Sequence, residues 1–290
     1  MTDHDLLSDA ALEVPAARRP RRGAPGTLIA GCILLGLVIT VALVSYVHLP
    51  YPPQQIGGGR LQPPSRAHWL GTDTLGRDLF SQLMVGARIA LAAGGGSVLL
   101  GGIIGVVLGL AAAFAQRWLD DAIAAVLDIL IAFPTLLLAM LIVAARGATL
   151  GSAIVAIGLA MSAIVARLTR ILAKRVLSTQ YVTAAATSGT GWLGVILRHV
   201  LPNIWPTLIV NLALQFGLAV LAEASLSYLG LGAPPPNASW GRLLQQAQGT
   251  VYSAPVGAIA PGVALVVLVL GANLLADGLR DVLDPTRRSR

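Results

Sequence analysis

Six long apolar stretches constrain what this 290-residue chain can fold into. A helix that crosses a bilayer needs about 20 predominantly apolar residues. Inside hydrocarbon no water is available to satisfy a backbone amide, so such spans form helices. The expected spans are 28–49, a segment within 87–115, and segments near 122–144, 148–168, 204–224 and 257–279. The sequence therefore predicts an all-α integral membrane protein with six transmembrane helices.

The composition and the first stretch support the same fold class. Only 11% of the residues are charged, whereas a soluble domain carries roughly 25%. The first stretch follows four arginines, but it is longer than the apolar core of a typical signal peptide and lacks a small-residue cleavage pattern. We therefore interpret 28–49 as a retained anchor that follows a charged tail at 1–27.

Basic residues predict the orientation of these spans. If the N-terminus lies inside, fourteen of the twenty Lys and Arg residues fall on the cytoplasmic side, as the positive-inside rule requires. We then expect both termini, including a short tail at 286–290, and the segment 170–203 in the cytoplasm. The loops 50–86 and 225–256 face outward, and 87–285 forms a five-span core. The protein is expected to be a multi-pass component of the inner or plasma membrane.

Two local patterns predict how the spans pack. Gly101, Gly105 and Gly109 recur at i+4 and share one helix face, which allows another helix to approach closely. The partner helix belongs either to this chain or to another subunit, and the first alternative is favoured. Pro134 is expected to kink the third span.

The chain lacks the residues that common catalytic sites need. A phosphate-binding P-loop requires a lysine after glycine, and the one lysine, Lys174, lies between Ala173 and Arg175. The four histidines are far apart in the sequence, and Cys32 is the one cysteine. We expect no enzyme activity, no bound cofactor and no metal site. With 5% aromatic residues, the basic charge favours lipid headgroups over nucleic acid.

Polar residues inside the spans are candidates for a transport pathway, because ionisable groups in membranes are costly and often functional. Asp128, Asn211 and Glu223 fall within the predicted spans. Asp128 is the deepest carboxylate, and pairing with a neighbouring helix is the favoured interpretation. The alternative is a proton relay in an ion-driven secondary transporter. A third possibility is a membrane scaffold that transports nothing.

A partly polar segment at 180–203, which is interrupted by glycines and which we call the insert, separates two apolar spans on the cytoplasmic side. Residues 180–188 favour a short helix, and Gly189 and Gly191 allow a turn. Residues 192–200 place Trp192, Val195, Ile196 and Val200 on one face. Pro202 is expected to end this helix and Asn203 to cap the fifth span. The residues alone leave open whether the apolar face meets lipid headgroups or a protein groove.

The insert resembles the EAA loop of ATP-binding-cassette importer permeases. It has Thr183-Ala184-Ala185, then Gly189, then Leu201-Pro202 at the matching spacing, with Thr183 in place of the usual glutamate. Three more stretches resemble the C-type permease subunit of dipeptide and oligopeptide importers: HWLGTDTLGRDLFSQLMVGARIAL at 68–91, EASLSYLGLGAPPPNASWGRLL at 223–244 and GLRDVLDP at 278–285.

This resemblance implies a type I importer permease fold and a division of labour. The chain would pair with a second, different permease subunit and with two cytoplasmic ATPase subunits or halves that use ATP and Mg²⁺. An external solute-binding protein would deliver peptides or similar small solutes. The implied coupling residues are Thr183, Ala184, Ala185, Gly189, Trp192, Ile196, Arg198, His199, Leu201 and Pro202. The implied outer-loop residues are Gly71, Asp73, Gly76, Arg77 and Asp78.

Overall fold

The computed structural model describes residues 24–234 and 237–283, and this part of the chain is built from helices. The tails at 1–23 and 284–290 lie outside the described residues. The helices are α1 Ala24–Val47, α2 Leu79–Phe114, α3 Arg117–Ala132, α4 Thr135–Arg146, α5 Leu150–Leu177, α6 Gln180–Thr187, α7 Trp192–Val195, α8 Leu201–Tyr228, α9 Trp240–Ala247 and α10 Val256–Leu283.

Five of the helical segments are long and apolar enough to cross a membrane: α1, α2, α5, the continuous Trp192–Tyr228 segment and α10. A sixth span forms if α3 and α4 count as one, although they meet at an angle of 89°. Pro134 explains this break, because the preceding residue Phe133 is held extended at φ −74° and ψ 132°. The predicted kink is therefore a turn of about a right angle between two separate helices.

The packing of α2 against α5 is the most extensive helix contact of the described structure, and glycines make it possible. A Cβ placed on Gly101 would lie 2.6 Å from the carbonyl oxygen of Gly158, and one on Gly109 would lie 2.5 Å from that of Ala166. Residue numbers rise together along both helices, so α2 and α5 run parallel. The glycine face that the sequence predicted thus packs within this chain.

A second glycine-mediated contact joins the two ends of the chain. Gly31 of α1 meets the backbone of Leu275, and Gly278 of α10 meets the backbone of Leu28. Here the residue numbers run in opposite directions, so α1 and α10 are antiparallel. The N-terminal end of α1 therefore lies beside the C-terminal end of α10, which places both ends on one side of the bundle.

The second helix begins earlier than predicted. The loop was expected to extend to residue 86, but α2 begins at Leu79, because the carboxylate of Asp78 accepts a hydrogen bond from the N–H of Ser81 at 2.7 Å and caps the helix. With 36 residues, α2 is about 54 Å long at 1.5 Å per residue. It therefore extends beyond a hydrocarbon layer of about 30 Å.

The contact of α2 with α5 yields a stability prediction. In Gly105→Leu the first added carbon would lie 2.6 Å from Cβ of Val165 and 2.8 Å from the carbonyl oxygen of Ser162. Overpacking of this kind costs about 1–3 kcal/mol, so the thermal unfolding midpoint in detergent should fall. Gly95→Leu is the matched control, because a Cβ there meets nothing within 4 Å. Equal midpoints for the two variants would show that α2 and α5 separate without cost.

Candidate functional site

The first half of the insert forms α6, which ends in a tight glycine turn. The N–H of Thr190 donates to the carbonyl of Ala185, and the N–H of Gly189 donates to that of Ala186, each at 3.1 Å. This is a Schellman ending, in which the residue after the helix has positive φ. Gly189 has φ +88°, so the turn predicted at this position is confirmed.

The second half of the insert differs from the prediction. Instead of ending at Pro202, the helix that starts at Trp192 continues into α8 and forms one helical segment of 37 residues. A π turn at Ile196–Val200 makes this possible, since the N–H of Leu201 bonds back to the carbonyl of Ile196. Helices absorb irregular positions through such turns, and Pro202, whose nitrogen carries no hydrogen, follows this turn as the second residue of α8.

Asn203 also has a different role from the expected N-cap. Its side-chain NH₂ donates to the carbonyl of His199 at 2.7 Å and to the hydroxyl of Tyr181 at 3.1 Å. The rings of Tyr181 and His199 meet edge to face at 6.1 Å between centroids. These contacts tie α6 to the start of α8, so the two halves of the insert hold one another in place.

The insert presents two apolar faces, one buried and one exposed. Sequence periodicity predicted only part of this arrangement. Val182, Val195 and Val200 are buried in a cluster with residues of α5 and α8. Trp192 is 65% exposed and Ile196 is partly exposed, although both were predicted on the same stripe as Val195. The large apolar side chains of the insert that are exposed are Tyr181, Trp192, Leu193 and Leu197, which we call its outward apolar face.

The remaining predicted coupling residues differ in exposure. Thr183, Ala184 and Arg198 are exposed, whereas Ala185 and His199 are partly exposed. The Thr183 hydroxyl donates to the carbonyl of Thr179 at 3.3 Å. The Thr183 hydroxyl therefore bonds within its own helix, and the side chain supplies no charge at the position where a glutamate is usual.

An ion pair that the sequence did not predict lies beside the insert. Asp120 of α3 is 4% exposed. Its two oxygens accept from Nε and Nη2 of Arg170 at 2.5 and 2.8 Å, and Nζ of Lys174 also contacts it. Arg170 and Lys174 lie near the end of α5 that leads into α6. Asp120 therefore holds α3 against the helix that supports the insert.

The five predicted outer-loop residues come together in a cap formed by residues 48–78. The carboxylate of Asp73 accepts from Nε of Arg77 at 2.7 Å, from the amide of Gln82 at 3.0 Å and from two backbone N–H groups. Asp78 meets Nδ1 of His68 at 3.0 Å. Gly71 and Gly76 have φ near +79° and +78°, and a Cβ on either would lie within 2.4 Å of a backbone oxygen.

The three predicted pathway residues lie in different surroundings. Asp128 pairs with Nη1 of Arg167 at 3.2 Å, so the favoured pairing with a neighbouring helix is what the structure contains. Glu223 is 2% exposed and accepts from the hydroxyl of Ser227 at 2.6 Å. Asn211 lines a crevice of about 590 Å³ between α5, α8 and α10, and its side-chain oxygen has no hydrogen-bond partner among the described residues. The fold does not gather these three into one site.

The comparisons with known proteins identify the chain. Residues 105–289 match the family described as "Binding-protein-dependent transport system inner membrane component". The chain belongs to this family. The resemblance to importer permeases is therefore confirmed, and the comparisons give no support to an ion-driven secondary transporter.

The alignments with three named relatives span most of this permease and most of each relative. It is 39% identical over 263 residues to "Glutathione transport system permease protein GsiD" of Pectobacterium atrosepticum, covering 90% of this chain and 87% of that one. It is 41% identical to "Dipeptide transport system permease protein DppC" of Alkalihalophilus pseudofirmus, covering 79% and 76%. It is 42% identical to "Putative peptide transport system permease protein BRA1093/BS1330_II1085" of Brucella suis, covering 87% and 85%.

A solved structure supports the fold of this permease. A chain from "Crystal structure of an amino acid ABC transporter with histidines" superposes with a TM-score of 0.54 at 15% identity. The match covers 69% of the permease and 94% of the other chain. At this identity the similarity concerns the fold alone, which agrees with the predicted importer permease architecture.

The buried ion pair beside the insert yields a second prediction. Asp120→Ala leaves Arg170 and Lys174 without their shared counter-charge. Loss of a buried partner costs several kcal/mol, and about 2 kcal/mol is expected here, because Lys174 is partly exposed. The unfolding midpoint should fall in Asp120→Ala but not in Asp121→Ala, whose parent residue is exposed. Equal midpoints would show that the pair does not hold α3 to α5.

Proposed function

We propose that this permease forms the import pathway for peptides or similar small solutes together with a second, different permease subunit. The names of its relatives, which refer to dipeptide, peptide and glutathione transport, support this substrate class. The chain has no P-loop sequence, so the energy must come from partner ATPases that bind ATP and Mg²⁺. An external solute-binding protein delivers the substrate, and the family description supports this partner.

The insert couples this permease to its ATPases, and its outward apolar face carries the proposal. Tyr181, Trp192, Leu193 and Leu197 are about half exposed or more, on the side predicted to be cytoplasmic. An exposed apolar patch framed by polar residues is typical of a protein interaction site. Behind this patch, the valines of the insert pack into the bundle. A force applied to the outward apolar face is therefore transmitted to the helices of the bundle and is not taken up by a flexible loop.

The continuous helix Trp192–Tyr228 transmits that force across the bundle. Trp192 and Glu223 belong to the same helical segment, so a displacement at the insert moves the helix that lines the crevice at Asn211. The buried Asp120 pair keeps the adjoining end of α5 in register with α3. At the other end of the molecule, the cap shaped by Gly71, Asp73, Gly76, Arg77 and Asp78 forms the outer mouth.

Removing the main aromatic side chain of the insert tests the coupling. Truncation of an aromatic anchor in a protein groove costs about 2 kcal/mol, so Trp192→Ala should weaken ATPase binding by about 30-fold. Co-purification with the ATPases, hydrolysis and uptake are measured in reconstituted vesicles. Trp118→Ala is the matched control, because Trp118 is 69% exposed but lies on α3, outside the insert. If both variants behave like the parent, the insert does not dock.

The shape of the insert is tested separately through its glycines. A Cβ on Gly189 or on Gly191 meets nothing within 4 Å, but only Gly189 has positive φ. A side chain in that conformation costs about 1–2 kcal/mol. Gly189→Val should therefore uncouple ligand-stimulated hydrolysis from uptake, whereas Gly191→Val should transport normally. Loss of coupling in both variants, or in neither, would contradict the role given to the Gly189 turn.

A further inference from the structure

The crevice between α5, α8 and α10 lies beside the insert, and the coupling proposed above gives it no occupant. Its volume is about 590 Å³, within the range of about 300–1,000 Å³ that is typical of ligand pockets. Asn203, near the start of α8, and Arg280, near the end of α10, both line it. Gly278 of α10 packs against Leu28 of α1. The crevice therefore lies on the side of the bundle that is predicted to be cytoplasmic.

The lining of this crevice combines apolar surface with polar groups of several kinds. Leucine, valine and proline side chains form the apolar part. The polar part consists of two amides, a hydroxyl and a guanidinium, which belong to Asn203, Asn211, Thr207 and Arg280. Small-molecule sites have this composition, in which a few polar groups fix the orientation of the ligand. Lipid chains do not suit such a lining, because hydrocarbon satisfies no polar group.

Two of these polar groups lack a protein partner in the part of the chain that the structure describes. The side-chain oxygen of Asn211 is buried and accepts no hydrogen bond there. A buried acceptor without a donor costs free energy, so its retention calls for an explanation. Arg280 forms no ion pair with a described carboxylate, although a guanidinium supplies five N–H donors. An occupant of the crevice that offers a donor and an anionic group would satisfy both residues.

Asn203 connects the crevice to the insert. Its side-chain NH₂ donates to the carbonyl of His199 at 2.7 Å and to the hydroxyl of Tyr181 at 3.1 Å. Both hydrogens of this NH₂ group are thus used within the insert, which leaves the amide oxygen for an occupant of the crevice. A ligand that bonds to this oxygen contacts the same side chain that ties α6 to α8.

We propose that this crevice is a solute site that binds the backbone of a peptide on the cytoplasmic side of the permease. The inference rests on the proposed function, because it takes the solute class from there. A peptide N–H donates to the amide oxygen of Asn211, and the terminal carboxylate binds Arg280, since a guanidinium pairs with a carboxylate through two parallel bonds. The solute's side chains lie against the apolar part of the crevice. All dipeptides share these backbone groups, so the site accepts dipeptides with different side chains.

Peptide binding to the assembled importer tests this site. Both permease subunits and the ATPases are placed in nanodiscs without nucleotide and without the external binding protein. Alanylalanine and leucylleucine are then titrated and followed by saturation-transfer NMR. Asn211→Ala should raise the half-saturating concentration of both dipeptides about fivefold, because one neutral hydrogen bond is lost. Asn273→Ala is the matched control and should bind like the parent, because Asn273 is an exposed amide of α10 outside the crevice lining.

The contact with Arg280 is tested by changing the ligand and the protein together. Alanylalanine amide has no carboxylate and should bind the parent about tenfold more weakly than alanylalanine, because hydrogen bonds between charged groups are the stronger ones. In Arg280→Gln the two ligands should bind about equally, since the cation that distinguishes them is gone. A tenfold preference for alanylalanine that persists in Arg280→Gln would contradict this assignment.

Stability separates a solute site from a structural role of Asn211. Since its oxygen has no donor in the described structure, Asn211→Ala should leave the unfolding midpoint of the assembled permease unchanged or higher. A lower midpoint together with loss of the second permease subunit would show that the crevice seats that subunit, and would overturn the proposal.

Uptake by the complete importer is measured separately, so that the two proposals can fail independently. If the parent takes up both dipeptides while Asn211→Ala and Arg280→Gln bind them like the parent, the solute site is wrong and the importer function stands. If the parent takes up neither dipeptide, the proposed solute class is wrong and the solute site fails with it.

Discussion

The close approach of α2 to α5 is the contact on which the rest of this permease depends. In a bilayer the apolar side chains gain little by leaving lipid for protein, so helices associate through close packing of their backbones. Gly101, Gly105 and Gly109 remove the side chains that would keep α2 away from α5. Once α5 is fixed, its cytoplasmic end carries both ion pairs with α3 and supports the buried side of the insert. A loss of this one contact would therefore affect both ion pairs and the buried side of the insert.

The outer side of the molecule depends on the same principle at a second place. Trp240 of α9 packs onto Gly86 of α2 and donates from its indole N–H to the carbonyl of Leu83 at 2.9 Å. The following residue, Gly241, lies directly against the backbone of Ala224 in α8. α9 therefore joins the helix that carries the outer cap to the helix that continues into the insert. Movement of α8 is constrained at its outer end as well as at its cytoplasmic end.

Sequence reasoning succeeded where one residue type has one local consequence. The glycine face, the break at Pro134 and the turn at Gly189 follow from steric rules that need no knowledge of the fold. Sequence reasoning failed where the outcome depends on a partner that is distant in the sequence or on an irregular turn that offsets the effect of a proline. Pro202 was expected to end a helix, but a π turn ahead of it keeps the helix continuous. Asp120 was missed because its cations lie some fifty residues away along the chain.

The replacement of the usual glutamate by Thr183 bears on how the insert can hold an ATPase. The Thr183 hydroxyl bonds to its own helix, so it contributes neither charge nor a free donor to a partner. In the proposed coupling, docking then relies on the exposed apolar area of Trp192, Leu193 and Leu197, with Arg198 as the exposed charge. Apolar contact is non-directional and depends weakly on salt, unlike surface ion pairs. In the proposed coupling, an insert of this composition would hold its partner through apolar contact, and a rigid turn with a buried rear face would keep that contact surface in place.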